Sequence, residues 1–160
     1  MAVAPCYGPR PIRVLELYSG IGGMRYSLHR AFPGLTCQVK AVDINQIANK
    51  VYQHNFKDQP STLSLEYCGP RDLLLPCSKP PDLWTLSPPC QPFTTTSNSL
   101  QQDSSDPRTT SFMHLLELIQ QMADPPSHIL LENVPGFLGS HCHSVWQKAM
   151  DAVGYEVRHI

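Results

Sequence analysis

No apolar run in the sequence approaches the roughly 18 residues needed to cross a bilayer. Residues 1–12 lack the apolar centre of a secretory signal and read as a flexible Pro-rich arm. Without an export signal, the six cysteines are expected to be reduced thiols in a cytoplasmic setting, or also a nuclear one. There is no Cys-x-x-Cys pair, and His141-Cys142-His143 has no fourth ligand beside it, so no metal is expected. An excess of basic charge is missing too: 12 Lys and Arg against 13 Asp and Glu leave a formal net charge of −1. A surface so neutral has no obvious field for gripping phosphates by itself. No internal repeat or heptad is present. What remains is a chain of 160 residues, 41 % hydrophobic and 16 % charged, which suits one folded domain.

The pattern of that domain is α/β. Arg13-Val14-Leu15-Glu16-Leu17-Tyr18 reads as a strand, followed by the turn Ser19-Gly20-Ile21-Gly22-Gly23. A helix with Met24, Leu28, Ala31 and Phe32 at helical spacing comes next. Thr36 to Val42 reads as a second strand ending in Asp43. The helix after it places Ile44, Ile47, Ala48, Val51 and Tyr52 on an expected core face. Leu63 to Tyr67 suggests a short third strand within the hard-to-read stretch Lys57–Pro81. Asp82 to Leu86 is a further strand, and residues 95–110 read as a long polar loop. Phe112, Leu115, Leu116, Ile119 and Met122 mark a helix. His128 to Leu131 is another strand, Val145, Ala149 and Val153 mark a last helix capped by Gly154, and Tyr155 to Ile160 begins a final strand.

The chain is organised around Ser87-Pro88-Pro89-Cys90-Gln91-Pro92-Phe93-Thr94. Prolines fix φ near −65° and bias the preceding residue to an extended backbone, so Cys90 stands on a stiffened turn at the carboxyl end of a strand. Open α/β sheets bind ligands at that rim. Glu132-Asn133-Val134 follows the next strand, and the glycine turn follows the first. These strand ends are neighbours in a doubly wound sheet. An acid at the end of the second strand, here Asp43, commonly accepts hydrogen bonds from ribose hydroxyls; capping the helix is a compatible use, and the position favours the ribose.

The segments Leu17-Tyr18-Ser19-Gly20-Ile21-Gly22-Gly23-Met24, Ser87 to Thr94 and Leu131-Glu132-Asn133-Val134 together resemble the cytosine carbon-5 methyltransferases. With Asp106-Pro107-Arg108-Thr109 they are most similar to the eukaryotic branch of DNA-methyltransferase homologues, which methylates an anticodon-loop cytosine of aspartate tRNA. The resemblance implies a Rossmann-like, S-adenosylmethionine-dependent fold with a mostly parallel sheet. It implies Cys90 as the nucleophile at carbon-6 of cytosine and Glu132 as the acid at ring nitrogen 3, its pKa raised if its pocket is dry. Ile21, Gly22, Gly23, Asp43, Ile44 and Ser87 would line the methyl donor, and Pro89, Asn133 and Val134 the target base.

Set against that family, residues 13–160 are expected to be a partial, C-terminally truncated catalytic domain without the target-recognition lobe and last motifs. Thr95-Thr96-Ser97-Asn98 stand where an arginine and glycine are usual. The expected substrate is tRNA, with DNA as the alternative, and the chain alone is expected to be weakly active or inactive. A binding module that asks nothing of Cys90 is the competing class. A nicotinamide-dependent dehydrogenase would need a last glycine where Arg25 stands.

Overall fold

The structure, a computed structural model, describes residues 10–76, 79–90 and 109–160. Cys6, Cys77, Gln91 to Thr94, the expected loop through Arg108 and most of the Pro-rich arm lie outside the described residues. Among the described residues four strands form one sheet: β1 (Ile12–Leu17), β2 (Cys37–Val42), β3 (Leu83–Leu86) and β4 (His128–Leu131). All pairs are parallel and the order is β2-β1-β3-β4. Helices α1 (Gly23–Ala31), α2 (Gln46–Phe56), α3 (Thr110–Gln121) and α4 (His141–Val153) make the crossovers and the final return. The expected α/β architecture with a parallel sheet is what the chain adopts.

Side chains alternate across a pleated strand, and the register turns this alternation into rows. Leu15 pairs with Trp84, which pairs with Ile129; Leu17, Leu86 and Leu131 form the next row. Both rows face α3 and α4, whose Phe112, Leu115, Leu116, Ile119, Trp146, Ala149 and Met150 complete the main core. Phe112 stacks on Trp146 with ring centroids 6.1 Å apart. Cys142 is fully buried in this core, where a small thiol serves as a hydrophobe. Gly154, at φ 92°, ends α4 with its N–H on the carbonyls of Met150 and Asp151.

The opposite pleat carries Glu16, so α1 and α2, which reach Glu16, cover the other face. Here the expected helix faces need correction. No residue of α1 is buried. In α2, Ile47 is 77 % exposed and Val51 41 %, whereas Asn49 and Tyr52 point inward. The inward side is rotated by about one residue, or roughly 100°, from the apolar stripe, because its anchors are polar bonds. Asn49 donates to the Asp43 carbonyl at 2.8 Å and Tyr52 donates to Glu16 at 2.7 Å.

Two expected strands are not formed. Leu63 to Tyr67 holds a turn rather than a strand, and beside it only Ser61 bridges to Val42. Leu65 and Leu73 instead drop into the core, the latter from a 3-10 turn at Pro70–Leu73. Tyr155 to Ile160 joins no sheet; the Tyr155 hydroxyl donates to the Pro126 carbonyl, and a groove separates the segment from β4.

Candidate active site

Leu17, Val42, Leu86 and Leu131 end the four strands in register, so the residues after them share one rim. With parallel strands about 4.8 Å apart, four neighbouring ends span about 15 Å. The ladder runs one step further, since the Glu132 N–H donates to the Leu86 carbonyl at 2.9 Å and Ser87 N–H to Leu17 at 3.4 Å.

After β1 the chain turns sharply. Tyr18 takes a left-handed φ of 57°, and Gly22 sits at φ 94° as the N-terminal cap of α1. Gly22 is required twice over: that φ disfavours a side chain, and an added Cβ would lie 2.1 Å from the Phe56 ring. An added Cβ at Gly23 meets nothing within 4 Å, so the backbone at the start of α1 is bare of protein. The first-turn N–H groups of a helix lack internal partners and favour an anionic group.

Asp43 closes the turn from the second strand. One carboxylate oxygen accepts the Gly20 N–H at 2.7 Å, and the other accepts the Asn45 N–H at 2.7 Å. A carboxylate has about four lone-pair sites, so both oxygens keep acceptor capacity for ribose hydroxyls. The helix cap itself is Asn45, whose side chain accepts from Ile47 and Ala48. Ile21 and Ile44 flank this rim, 57 % and 70 % exposed.

After β3, Pro88 is buried while Ser87, Pro89 and Cys90 are half-buried. The Asn133 side-chain amide donates to the Pro88 carbonyl at 3.3 Å, and its oxygen accepts the Val134 N–H at 2.8 Å. One asparagine thus joins the prolyl-cysteine turn to the Glu-Asn-Val segment. Glu132 is exposed, so the dry pocket considered for it is not formed by the described residues. The structure therefore brings Ile21, Gly22, Gly23, Asp43 and Ile44 to one side of the rim, and Ser87, Pro89, Cys90, Glu132, Asn133 and Val134 to the other.

Sequence reasoning passed over the supports beneath the glycine turn. Glu16 is 1 % exposed, and its carboxylate accepts from Tyr52 and from the Arg25 backbone N–H at 3.1 Å. Burial pushes its pKa up, and those two hydrogen bonds pull it partly back. Tyr18, held neutral by burial, donates to Ser111 at 3.0 Å and links the turn to the start of α3. The available signal was a lone acid in an otherwise apolar strand, between Leu15 and Leu17.

The family described as C-5 cytosine-specific DNA methylase matches residues 12–160. A mouse tRNA (cytosine(38)-C(5))-methyltransferase is 42 % identical over 148 residues, covering 91 % of this chain and 34 % of that protein. A Dictyostelium discoideum DNA (cytosine-5)-methyltransferase is 45 % identical over 127 residues, covering 79 % of this chain and 32 % of its own length. The chain thus spans about a third of these relatives. Among solved structures, an S. pombe Dnmt2 methyltransferase superposes with TM-score 0.76 at 34 % identity, over 92 % of this chain and 42 % of that one. The Entamoeba histolytica methyltransferase EhMeth gives 0.77 at 33 % identity, over 89 % and 43 %. With its glycine turn, prolyl-cysteine turn and Glu-Asn-Val segment on one sheet rim, the chain belongs to the C-5 cytosine-specific DNA methylase family.

Proposed function

We propose that the chain carries the donor-binding and nucleophile-bearing part of a tRNA cytosine carbon-5 methyltransferase. The observation that supports this most is the Asn133–Pro88 hydrogen bond, which ties the Cys90 turn to the segment holding Glu132. The donor implied by the family is S-adenosylmethionine, and the residues present fit it. The open backbone at Gly23 suits an amino-acid carboxylate, Asp43 keeps acceptor capacity for ribose, and Ile44 and Ile21 offer bare apolar surface to the adenosine. When bound, this cofactor supplies an electrophilic methyl group.

The chain's own residues prepare the base to accept it. Cytosine carbon-5 is too electron-poor to attack a methyl group directly. The Cys90 sulfur, as thiolate, adds to carbon-6; the 5,6 double bond opens and carbon-5 becomes enamine-like. Glu132 hydrogen-bonds or protonates ring nitrogen 3, where negative charge would otherwise build up. After methylation, loss of the carbon-5 proton to a base reforms the double bond and expels the Cys90 thiolate. Ser87 and Pro89 shape the turn that aims the sulfur, and Asn133 and Val134 border the base. A target in a single-stranded loop leaves its stack at low cost, which favours an anticodon-loop cytosine, that of aspartate tRNA by family resemblance.

The Dictyostelium relative, named for DNA, supports a second reading with the same chemistry on a DNA cytosine. Trapping separates the two. With methyl donor present, 5-fluorocytosine in the target leaves no proton to remove, so the sulfur–carbon bond persists. We expect a covalent adduct with fluorinated tRNA that vanishes in Cys90→Ala. An adduct with fluorinated DNA alone would favour the second reading. No adduct with either, or one that survives Cys90→Ala, would overturn both.

A further inference from the structure

Beneath the glycine turn lies a network that the chemistry above does not use. The Tyr52 hydroxyl donates to one Glu16 oxygen at 2.7 Å and accepts from the Arg25 guanidinium at 3.2 Å. The other Glu16 oxygen accepts the Arg25 backbone N–H at 3.1 Å, in the first turn of α1. The Arg25 guanidinium also reaches Asp58 at 2.6 Å and lies 4.5 Å from the Phe56 ring centroid. The next turn of α2 grips the loop itself. Asn55 donates to the Ile21 carbonyl at 3.2 Å, and the Phe56 ring fills the space where Gly22 lacks a side chain. Tyr52 and Glu16 are essentially fully buried, on the sheet face opposite the α3–α4 core.

These contacts converge on one place. Glu16 belongs to β1, Arg25 to α1 and Tyr52 to α2, and each bonds to both of the others, with the Tyr52 hydroxyl the one contribution from α2. We infer that Tyr52 is a positioning residue for the methyl donor: through Glu16 and Arg25 it fixes the first turn of α1, and so the aim of the bare backbone at Gly23. The inference rests on the methyltransferase reading and deepens its donor site. Losing the hydroxyl leaves one buried Glu16 oxygen without a donor and frees Arg25 to swing to Asp58 alone. The first turn of α1 then loses its link to α2 through Tyr52 and keeps the Glu16–Arg25 backbone bond and the half-exposed Asp58 pair, and donor affinity falls while the fold persists.

Calorimetric titration of the purified chain with S-adenosylhomocysteine tests this, with melting temperatures measured in parallel. Tyr52→Phe should weaken binding by about tenfold, the scale of one charge-assisted hydrogen bond. Glu16→Ala, which also removes the acceptor of the Arg25 N–H, should weaken it at least as much. Glu16→Gln keeps an acceptor for the Arg25 N–H and can donate to the Tyr52 oxygen but leaves the Tyr52 proton unmet, so its affinity should fall between those of the parent and Glu16→Ala. Ile119→Val, in the α3–α4 core, is the control: it should lower the melting temperature and leave affinity unchanged. Parent-like binding by Tyr52→Phe overturns the inference. So does a loss of affinity in Ile119→Val as large as that in Tyr52→Phe at equal thermal shift, because the effect would then be general destabilisation. No binding by the parent chain overturns the donor reading and this inference together. Intact binding without a Cys90 adduct removes the transfer chemistry and leaves the inference standing.

Discussion

At the scale of single residues, position decides role more than residue type does. Four of the cysteines lie among the described residues, and of these Cys68 and Cys142 are buried among aliphatic and aromatic side chains. Cys90 instead stands half-exposed on the rim, next to a turn tied down by Asn133. Replacing Cys90 with alanine removes the only group proposed to add to carbon-6, so whatever methyl transfer the parent chain supports should fall to background. Glu132→Gln keeps the hydrogen-bonding shape but loses the acid, and should cost about 10²–10⁴-fold. Both are read by tritiated methyl incorporation; a Cys90→Ala chain as active as the parent would leave the covalent route untenable. A second residue-scale case is Asp82. It accepts from the Arg13 backbone, from two Arg13 guanidinium nitrogens and from Arg10, and these hold its carboxyl well below the usual carboxylate range. A depressed folded-state pKa stabilises the fold above the unfolded value of about 3.9, and this is lost as pH falls further through the folded value. Asp82→Asn should therefore melt roughly 5 °C below the parent at pH 7. The gap should narrow towards pH 3; one that stays constant with pH would contradict the ion-pair account.

At the scale of elements, the glycine turn and α2 are one unit. Gly22→Ala places a methyl group against Phe56 and strains a backbone at φ 94°. The two penalties together come to roughly 2–4 kcal/mol, measurable as a lower urea midpoint with unchanged slope. A loss under about 0.5 kcal/mol would mean that Phe56 simply moves aside. The same unit shows where sequence patterns mislead. α3 was legible because its inward face is wholly aliphatic and aromatic, so period and burial coincide in Phe112, Leu115, Leu116 and Ile119. α2 was legible as a helix and Tyr52 as part of its inward face, but the face is turned away from Ile47 and Val51 towards Asn49, which buries itself through a hydrogen bond that a hydrophobic stripe does not register. Glu16 is the same case on a strand, a charge tolerated inside because two donors meet it. The stretch Lys57–Pro81 stayed opaque because Leu65, Leu73 and Leu75 enter the core from turns, which have no period to read. The rim residues were found more easily. Glycine and proline punctuate strand ends in the sequence itself, and parallel register then brings those ends together.

At the scale of the whole molecule, the two sheet faces and the two sheet edges are unequally covered. The α3–α4 face is closed over large buried side chains, including Trp84, Phe112 and Met150. Over β4 the opposite face is thin: His128 is exposed and Leu130 is 45 % exposed. The outer edge of β4 has no strand partner among the described residues. Beside it runs a groove of about 810 Å³ towards residues 154–160, far larger than a packing defect that one or two waters could fill. Leu138, 53 % exposed, adds apolar surface at the same margin. An uncovered strand edge with apolar neighbours is a template for pairing with another chain, and a lysine placed on such an edge is a recurrent way of blocking it. The chain should therefore self-associate at micromolar concentration. Leu130→Lys should reduce light scattering several-fold with little change in far-ultraviolet circular dichroism, because the side chain is already half in water. Gln53→Lys, exposed on α2 and remote from β4, adds the same charge away from that edge and should leave association nearly unchanged. If both variants cut scattering equally, net charge rather than the β4 edge governs association. If neither does, the self-contact lies on another surface, and the exposed Ile44, Ile47 and Val51 stripe of α2 becomes the place to mutate next.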